Sequence, residues 1–552
     1  MADQYTSERK VLGTLLSTSS REIEVPDYQR DFSWDTPQFE AFWKDLLAFS
    51  AKYPGENILA QEYFLGTMVI VDTEGKYYLL DGQQRLATAT IVLSVIRRDF
   101  VKPYDTNAST RTSERYIVGF DDPTQKTKHT LTLNRYDRDF FRREIQQSRD
   151  GTYVEPIPAL ESHKLIRKGR QYFGRMFQED SASLALPSDK FAWAMRIQRV
   201  LTNHISLIAV TSNDEDNAAT VFETLNDRGI GLSTPDLLRN FLLRGAPEND
   251  REAILESWRT VLQVAEGGDV DIFLRHFWVS RKGDVTGRSL YREIKEKFVG
   301  PSIKFAQELE VEADIYKDIL MARHDNAEIR RYLEAINLLN ARAFYPVVLS
   351  LLSVSGISDE DKVLLLQDLT TMFVRHNIIC KRDNAVLEKL AFQCAKNVRD
   401  SRSTIQARQD IRKGAPSDDE FRKLFATADV ERSNIARYLL REIEGRKRKT
   451  GEMEVAAPNR THVEHIYPQR PLDGFKWANH NDAVNRLGNQ TLLSRRLNVR
   501  IKNALFPDKK PSYATSDLLI TKELGDVTEW SMTAIDNRQK ALAEIAAEIW
   551  RF

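Results

Sequence analysis

Hydrophobic positions in the first third of the chain switch between a repeat of two and a repeat of about 3.6, so strands and helices alternate there. Thr36 and Pro37 open a predicted helix, because threonine can satisfy free N–H groups at a helix start and proline suits the first helical position. Phe39, Phe42, Trp43, Leu46 and Leu47 follow at helical spacing and form one core-facing stripe. Two short strands come next, residues 63–72 and 76–80, joined by Thr73, Glu74 and Gly75 into a hairpin. From about residue 245 to 414 strand signals fade, and amphipathic stretches such as 326–352 and 359–377 predict a helical middle. Residues 396–413 are charged and poor in apolar side chains, and Ser417 with Glu420 makes a capping box that restarts a helix. The polar run 444–460 predicts a linker; strands and loops return after it, before a last helix over 532–550. No internal repeat is present. The pattern predicts a multidomain α+β protein with an N-terminal domain over 1–245, a helical connector over 246–443, a linker over 444–460 and a C-terminal domain over 461–552.

A chain of 552 residues is too long for a single hydrophobic core, which agrees with several units. Its 41% apolar and 29% charged residues are those of an ordinary globular protein and exclude disorder as the default. Because 80 basic residues are matched by 80 acidic ones, any affinity for nucleic acid must come from a local patch. The first ten residues lack a signal-peptide pattern, and no apolar run approaches the ~18 residues of a membrane span, so a cytoplasmic protein with no membrane partner is expected. Cys380 and Cys394 belong to no C-x-x-C pair and are expected to be buried free thiols.

Two constellations carry chemistry. In the first, T-H-V-E-H-I-Y-P-Q at 461–469 precedes L-G-N-Q-T-L-L-S-R-R-L-N at 487–498. Phosphodiester hydrolysis needs a base to activate water and a divalent cation to neutralise charge on phosphate. A histidine suits the first task, and carboxylate or amide oxygens suit Mg²⁺ or Mn²⁺. Glu464 and His465 are adjacent at the end of a predicted strand, so a local twist is needed for both to serve one site. Residues 495–503 predict a short helix that could deliver the Asn498 amide to the same metal. His462 is an alternative first ligand, and a zinc site from His462 and His465 competes, weakened by the absence of nearby cysteines. Between Pro458 and Thr515 ten Lys/Arg face four Asp/Glu, and Arg495, Arg496, Arg500 and Lys502 beside Asn498 can grip DNA phosphates or simply form a solvated face.

The second constellation, D-G-Q-Q-R at 81–85, lies between a strand and an apolar helix. A helix N-terminus offers N–H groups to an anion, Gly82 allows close backbone approach, and Arg85 can hold a phosphate bidentately, with Asp81 positioning metal or water. Upstream, V-P-D-Y-Q-R-D-F-S-W at 25–34 brings Tyr28, Gln29 and Arg30. Taken alone, Asp-Gly after a strand is equally a turn signal.

The 461–498 pattern resembles the ββα-metal, or HNH, nucleases. That resemblance implies His465 as general base, Glu464 at the acidic metal position, Asn489 as support for the base-bearing loop and Asn498 as the helix ligand; Glu464 stands where the comparison commonly has aspartate. The ordered set V-P-x-Y-Q-R, F-L-G-T at 64–67, D-G-Q-Q-R-L and F-E-T-L-N-D-R-G-I-G-L-S-T-P-D-L-L-R-N at 222–240 resembles the ParB/sulfiredoxin-like N-terminal domain of GmrSD-type modification-dependent restriction enzymes. The HNH segment and the end of the chain resemble their C-terminal domain. The resemblance implies a type IV restriction endonuclease of phage defence. Its N-terminal site would bind and hydrolyse a nucleoside triphosphate (GTP, CTP or ATP) through Asp81, Gly82, Gln83, Gln84 and Arg85. Tyr28, Gln29 and Arg30 are nearby pocket residues, and Asn226 and Arg228 are closing ones unless 225–229 is only a helix cap. Modified double-stranded DNA is the implied partner, and a homodimer stays open. The alternatives are an NTPase with an inactive HNH-like domain and a ParB-like DNA-binding adaptor.

Overall fold

The computed structural model describes residues 5–52, 61–73, 75–121, 126–146, 155–214, 218, 221, 233–266, 268–448, 461–471, 474–501 and 503–552. The protein is mixed α+β and mainly helical. It divides into two compact units, Met1–Arg244 and Gly245–Phe552.

The first unit holds β1 (Thr6–Val11), β2 (Glu22–Glu24), β3 (Tyr63–Thr73), β4 (Lys76–Asp81), β5 (Val118–Asp121), β6 (Lys126–His129), β7 (Leu131–Thr132) and β8 (Ile205–Ser212). Six of these form one mixed sheet in the order β1-β8-β3-β4-β2-β7, while β5 and β6 pair separately. Met68–Val71 of β3 is a continuous buried run because β3 is an interior strand, parallel to β8 and antiparallel to β4. The hairpin β3–β4 pairs Ile70 with Leu79 and carries a bulge between Val69 and Ile70, opposite the end of β4 where Asp81 pairs with Val69.

Helix Gln83–Val95 leaves β4 directly, and every residue in it except Arg85 is buried. It packs against helix Glu161–Asp180, which also contacts helix Thr36–Lys52. The stripe Phe39, Phe42, Trp43 and Leu46 is buried there, with Phe173 and Phe177 of Glu161–Asp180 stacked edge-on or tilted against it. At the start of helix Thr36–Lys52, Asp35 Oδ1 accepts from the Thr36 N–H at 2.6 Å, and the Asp35 carbonyl takes the first helical bond from Phe39.

The second unit begins with a run of helices from Glu248–Leu262 to Ser433–Arg448. The stretch 326–352, expected as one helical pattern, is two helices, Ala327–Leu338 and Tyr345–Ser353, because Asn340 adopts φ 57° and ends the first. Ser417 caps Asp418–Phe425 by accepting from the Glu420 N–H at 3.2 Å. The segment 444–460, read from sequence as a linker, begins inside helix Ser433–Arg448, and residues 449–460 lie outside the described residues. Glu444 is fully buried and accepts 2.9 Å bonds from the N–H groups of Leu519 and Ile520. The proposed division between connector and C-terminal domain therefore does not separate two compact bodies: Gln539 of the final helix, Met532–Ile549, donates to the carbonyls of Phe425 and Ala428 at 2.8 and 2.9 Å. Buried Arg375 likewise donates to the carbonyls of Trp550 and Pro416.

Both cysteines are free thiols, Cys394 buried and Cys380 half-buried, and burial raises their pKa to about 12 and about 11. Among the described residues, no helix is long and apolar enough to cross a membrane.

Candidate functional site

In the second unit β9 (Thr461–His465) pairs antiparallel with β10 (Gln490–Ser494), and helix Arg495–Ile501 follows β10 without a break. His465 ends β9 opposite Gln490. Beyond it the chain is held by Asn489, which is fully buried. The Asn489 carbonyl accepts from Ile466 N–H at 2.9 Å, and its Oδ1 accepts from Tyr467 N–H at 2.8 Å and Trp530 Nε1 at 3.0 Å. Its Nδ2 donates to the carbonyls of Tyr467 and Val484 at 3.0 and 3.2 Å. Every polar group of this side chain is engaged with the turn after His465, so Asn489 is a brace and is closed to substrate.

The His465 ring is half-buried, and burial, followed by the charge of Lys509, lowers its pKa to about 4. It therefore stands neutral at pH 7, the state a base requires. Gln469 Nε2 lies 3.3 Å from His465 Nε2, with the amide donating.

The donor set expected for Mg²⁺ or Mn²⁺ is not assembled. Glu464, 7% exposed, pairs with Lys509 Nζ at 2.5 Å and accepts from the Tyr513 hydroxyl at 3.3 Å. Strand alternation places Glu464 and His462 on the face opposite His465, so neither the adjacent Glu464–His465 pair nor a His462–His465 zinc pair converges. His462 Nε2 is buried without a hydrogen-bond partner. Asn498 sits half-buried on helix Arg495–Ile501, which packs against both strands. Among the described residues, no three His, Cys, Asp or Glu side chains lie close enough to hold a metal ion. Arg495, Arg496 and Arg500 are exposed and form no ion pair among the described residues; Lys502 lies outside them.

Sequence reasoning missed Lys509 and Tyr513. They sit four residues apart on helix Phe506–Ala514, and the only signal was that i, i+4 spacing on a short helix; a lysine read from sequence is a surface residue.

In the first unit, Gly82 takes φ 100° between β4 and helix Gln83–Val95, a backbone state suited to glycine, and a Cβ there would meet Met68 Cβ at 3.0 Å. Gly82, the residue at the start of this helix, supplies no side-chain cap to its first N–H groups. Asp81 Oδ1 accepts from Gly82 N–H at 2.8 Å, and Arg85 stands 4.0 Å from Asp81 while donating to the Thr67 carbonyl at 2.6 Å. Burial raises the Asp81 pKa against the opposing pull of Arg85, the Gly82 N–H and Arg30. Arg30 pairs with Asp236 at 3.4 Å, and its Nε is buried with no partner. Gln83, 5% exposed, also keeps its Oε1 unpartnered.

Asp81, Gly82, Arg85 and Arg30 thus come together, with Gln83 next to Gly82 in the chain. Gln84 does not join them: its Oε1 accepts from Ser33 and Trp34 N–H and its Nε2 donates to the Asp31 carbonyl, bracing the 31–34 segment. Gln29 is buried, with Asn240 Nδ2 3.5 Å from its Oε1, and Tyr28 is half-buried in the turn beside it. Asn226 and Arg228 lie outside the described residues.

Both units match family models of restriction endonucleases, which places the chain in the class of enzymes that cut DNA. Residues 12–243 match the GmrSD restriction endonuclease N-terminal domain and residues 415–545 match the GmrSD restriction endonucleases C-terminal domain, together about two thirds of the chain; the protein belongs to this family, that of type IV restriction endonucleases. Comparison with curated proteins gives no match. The C-terminal match starts just before the Ser417 cap, so it includes helix Asp418–Phe425, which packs with the final helix, and helix Ser433–Arg448, which packs with β9, β10 and the final helix.

Proposed function

We propose that the strand-strand-helix segment 461–501 is an HNH-type nuclease site that cleaves modified phage DNA, and that the D-G-Q-Q-R site of the first unit binds and hydrolyses a nucleoside triphosphate to control it. The observation carrying the nuclease reading is a neutral, partly exposed His465 at the end of β9, beside a helix that bears Asn498 and three exposed arginines. His465 takes a proton from the attacking water, and Arg495, Arg496 and Arg500 hold flanking phosphates, each as a charge-assisted contact. Asn489 keeps the base-bearing turn rigid. Mg²⁺ or Mn²⁺ is part of the proposal through the nuclease resemblance alone; the roles given to these side chains do not run through it.

The nucleotide reading is supported by an uncapped helix start, two arginines and a buried Gln83 oxygen without a partner, a set suited to a polyphosphate and its attached groups. GTP, CTP and ATP fit this chemistry equally. Sensing of modified DNA follows from the family resemblance, and a homodimer would supply two cuts to one duplex.

The test is a panel of modified and unmodified duplexes, with Mg²⁺ or Mn²⁺ and each triphosphate, comparing wild type, His465→Ala and Arg85→Ala. His465→Ala is expected to slow cutting by about 10²–10⁴-fold while DNA binding persists. Arg85→Ala is expected to lose triphosphate hydrolysis and the nucleotide response of cutting. Cutting that survives His465→Ala overturns the nuclease reading, and an unchanged nucleotide response in Arg85→Ala overturns the control reading.

A further inference from the structure

Lys509 is 1% exposed, and a lysine ammonium is removed from water only where its three donors find acceptors. Here all three do. Nζ donates to Glu464 Oε1 at 2.5 Å, to the His465 carbonyl at 2.7 Å and to the Ile466 carbonyl at 3.4 Å. Glu464 Oε1 also receives the hydroxyl of Tyr513, one turn further along the same helix. The two carbonyls lie where β9 ends and its ladder with β10 stops. On the other side of the same turn, Asn489 takes the N–H groups of Ile466 and Tyr467. The backbone that carries His465 is therefore clamped from both sides, its amides by Asn489 and its carbonyls by Lys509.

We propose that Lys509 is a positioning residue for the His465 base and that Glu464 is the buried counter-ion of Lys509, not a ligand of the catalytic metal. This inference rests on the nuclease reading of His465. Glu464 cannot serve a cation and remain the charge partner of an ammonium 2.5 Å away without leaving Lys509 buried and unpaired. Its place on the strand face opposite His465 points the same way. Lys509 itself has no donor left for substrate, so its hydrogen bonds act on the backbone of the base-bearing turn, and beyond them only its charge reaches the His465 ring.

The experiment uses the full-length protein and a DNA substrate that wild type cuts, measuring kcat, KM for DNA and the Mg²⁺ concentration for half-maximal rate. Lys509→Met is expected to lower kcat by about 100-fold, the cost of a base displaced by about an ångström, with KM within about twofold. Because a lone buried carboxylate can unfold that variant, Glu464→Gln/Lys509→Met, which removes both charges, is measured beside it; it is expected to melt closer to wild type and to show the same loss in kcat. Glu464→Gln keeps an oxygen for Lys509 and Tyr513, and its half-maximal Mg²⁺ concentration is expected to stay within about twofold of wild type. A rise of about tenfold or more in that concentration makes Glu464 a ligand and overturns the proposal, as does wild-type kcat in either Lys509 variant. Should both Lys509 variants fail to fold, Glu464→Gln decides alone. Failure of the underlying reading shows separately, as cutting that persists in His465→Ala.

Discussion

Individual side chains in this protein are set by what burial demands of them. His276, in helix Val270–Lys282, is buried with Nδ1 2.9 Å from the Tyr316 hydroxyl; burial first, and then the charges of Arg275 and Arg342, lower its pKa to about 3. Unfolded, the same ring titrates near 6.5. Between these values the unfolded chain binds the extra proton, so the contribution of neutral His276 is intact above pH 6.5 and is lost progressively as pH falls towards about 3. His276→Gln is expected to reduce the slope of stability against pH in that window by up to about 1.4 kcal/mol per pH unit, read by urea unfolding at several pH values. An unaltered slope would show that His276 is not held neutral. The same demand explains why Glu464 and Lys509 are found together: neither charge is tolerated alone at that depth.

At the scale of elements, the C-terminal site depends on how closely the final helix approaches the turn before β10. Gly488 lies in that turn, and a Cβ there would stand 2.5 Å from the Ile535 carbonyl and 2.8 Å from Gln539 Cβ, both on helix Met532–Ile549. The Gly488 N–H donates to Gln539 Oε1 at 3.0 Å, and Arg538 of the same helix donates to the Gly488 carbonyl at 2.6 Å. Gly488→Ala must push these elements apart and is expected to destabilise the second unit by about 1–3 kcal/mol, with a matching fall in Tm. A Tm equal to wild type would show that the helix can shift without loss. Strand and helix identities were legible from periodicity: the β3–β4 hairpin, the Phe39–Leu46 stripe, the Ser417 cap and the strand-strand-helix order all follow local rules of spacing and capping, although the Glu420 carboxylate pairs with Arg382 instead of closing a capping box. The break at Asn340 was not, because apolar spacing continues across it while the left-handed residue ends the helix.

For the whole molecule, the chain divides after Arg244, and the helical run belongs with the C-terminal segment. Fragment 245–552 is therefore expected to fold by itself, with helical circular dichroism and a cooperative melt. Fragment 461–552 is expected to remain unfolded, since it lacks the partners of Gln539 and of the Leu519 and Ile520 amides. A cooperative melt for the shorter fragment would overturn this division. The sequence alone set His465, Asn489 and Asn498 at one end and D-G-Q-Q-R at the other in short, ordered motifs, and the matches to both GmrSD domains confirm the GmrSD family that their order resembles. Only tertiary structure decided which groups are engaged elsewhere. Glu464 and Lys509 are 45 residues apart, Gln84 and Ser33 are 51, and Glu444 and Leu519 are 75. Pairings across such separations follow from which elements pack together, and a carboxylate gives no sign in its local sequence of whether its partner will be a metal, a lysine or a backbone amide.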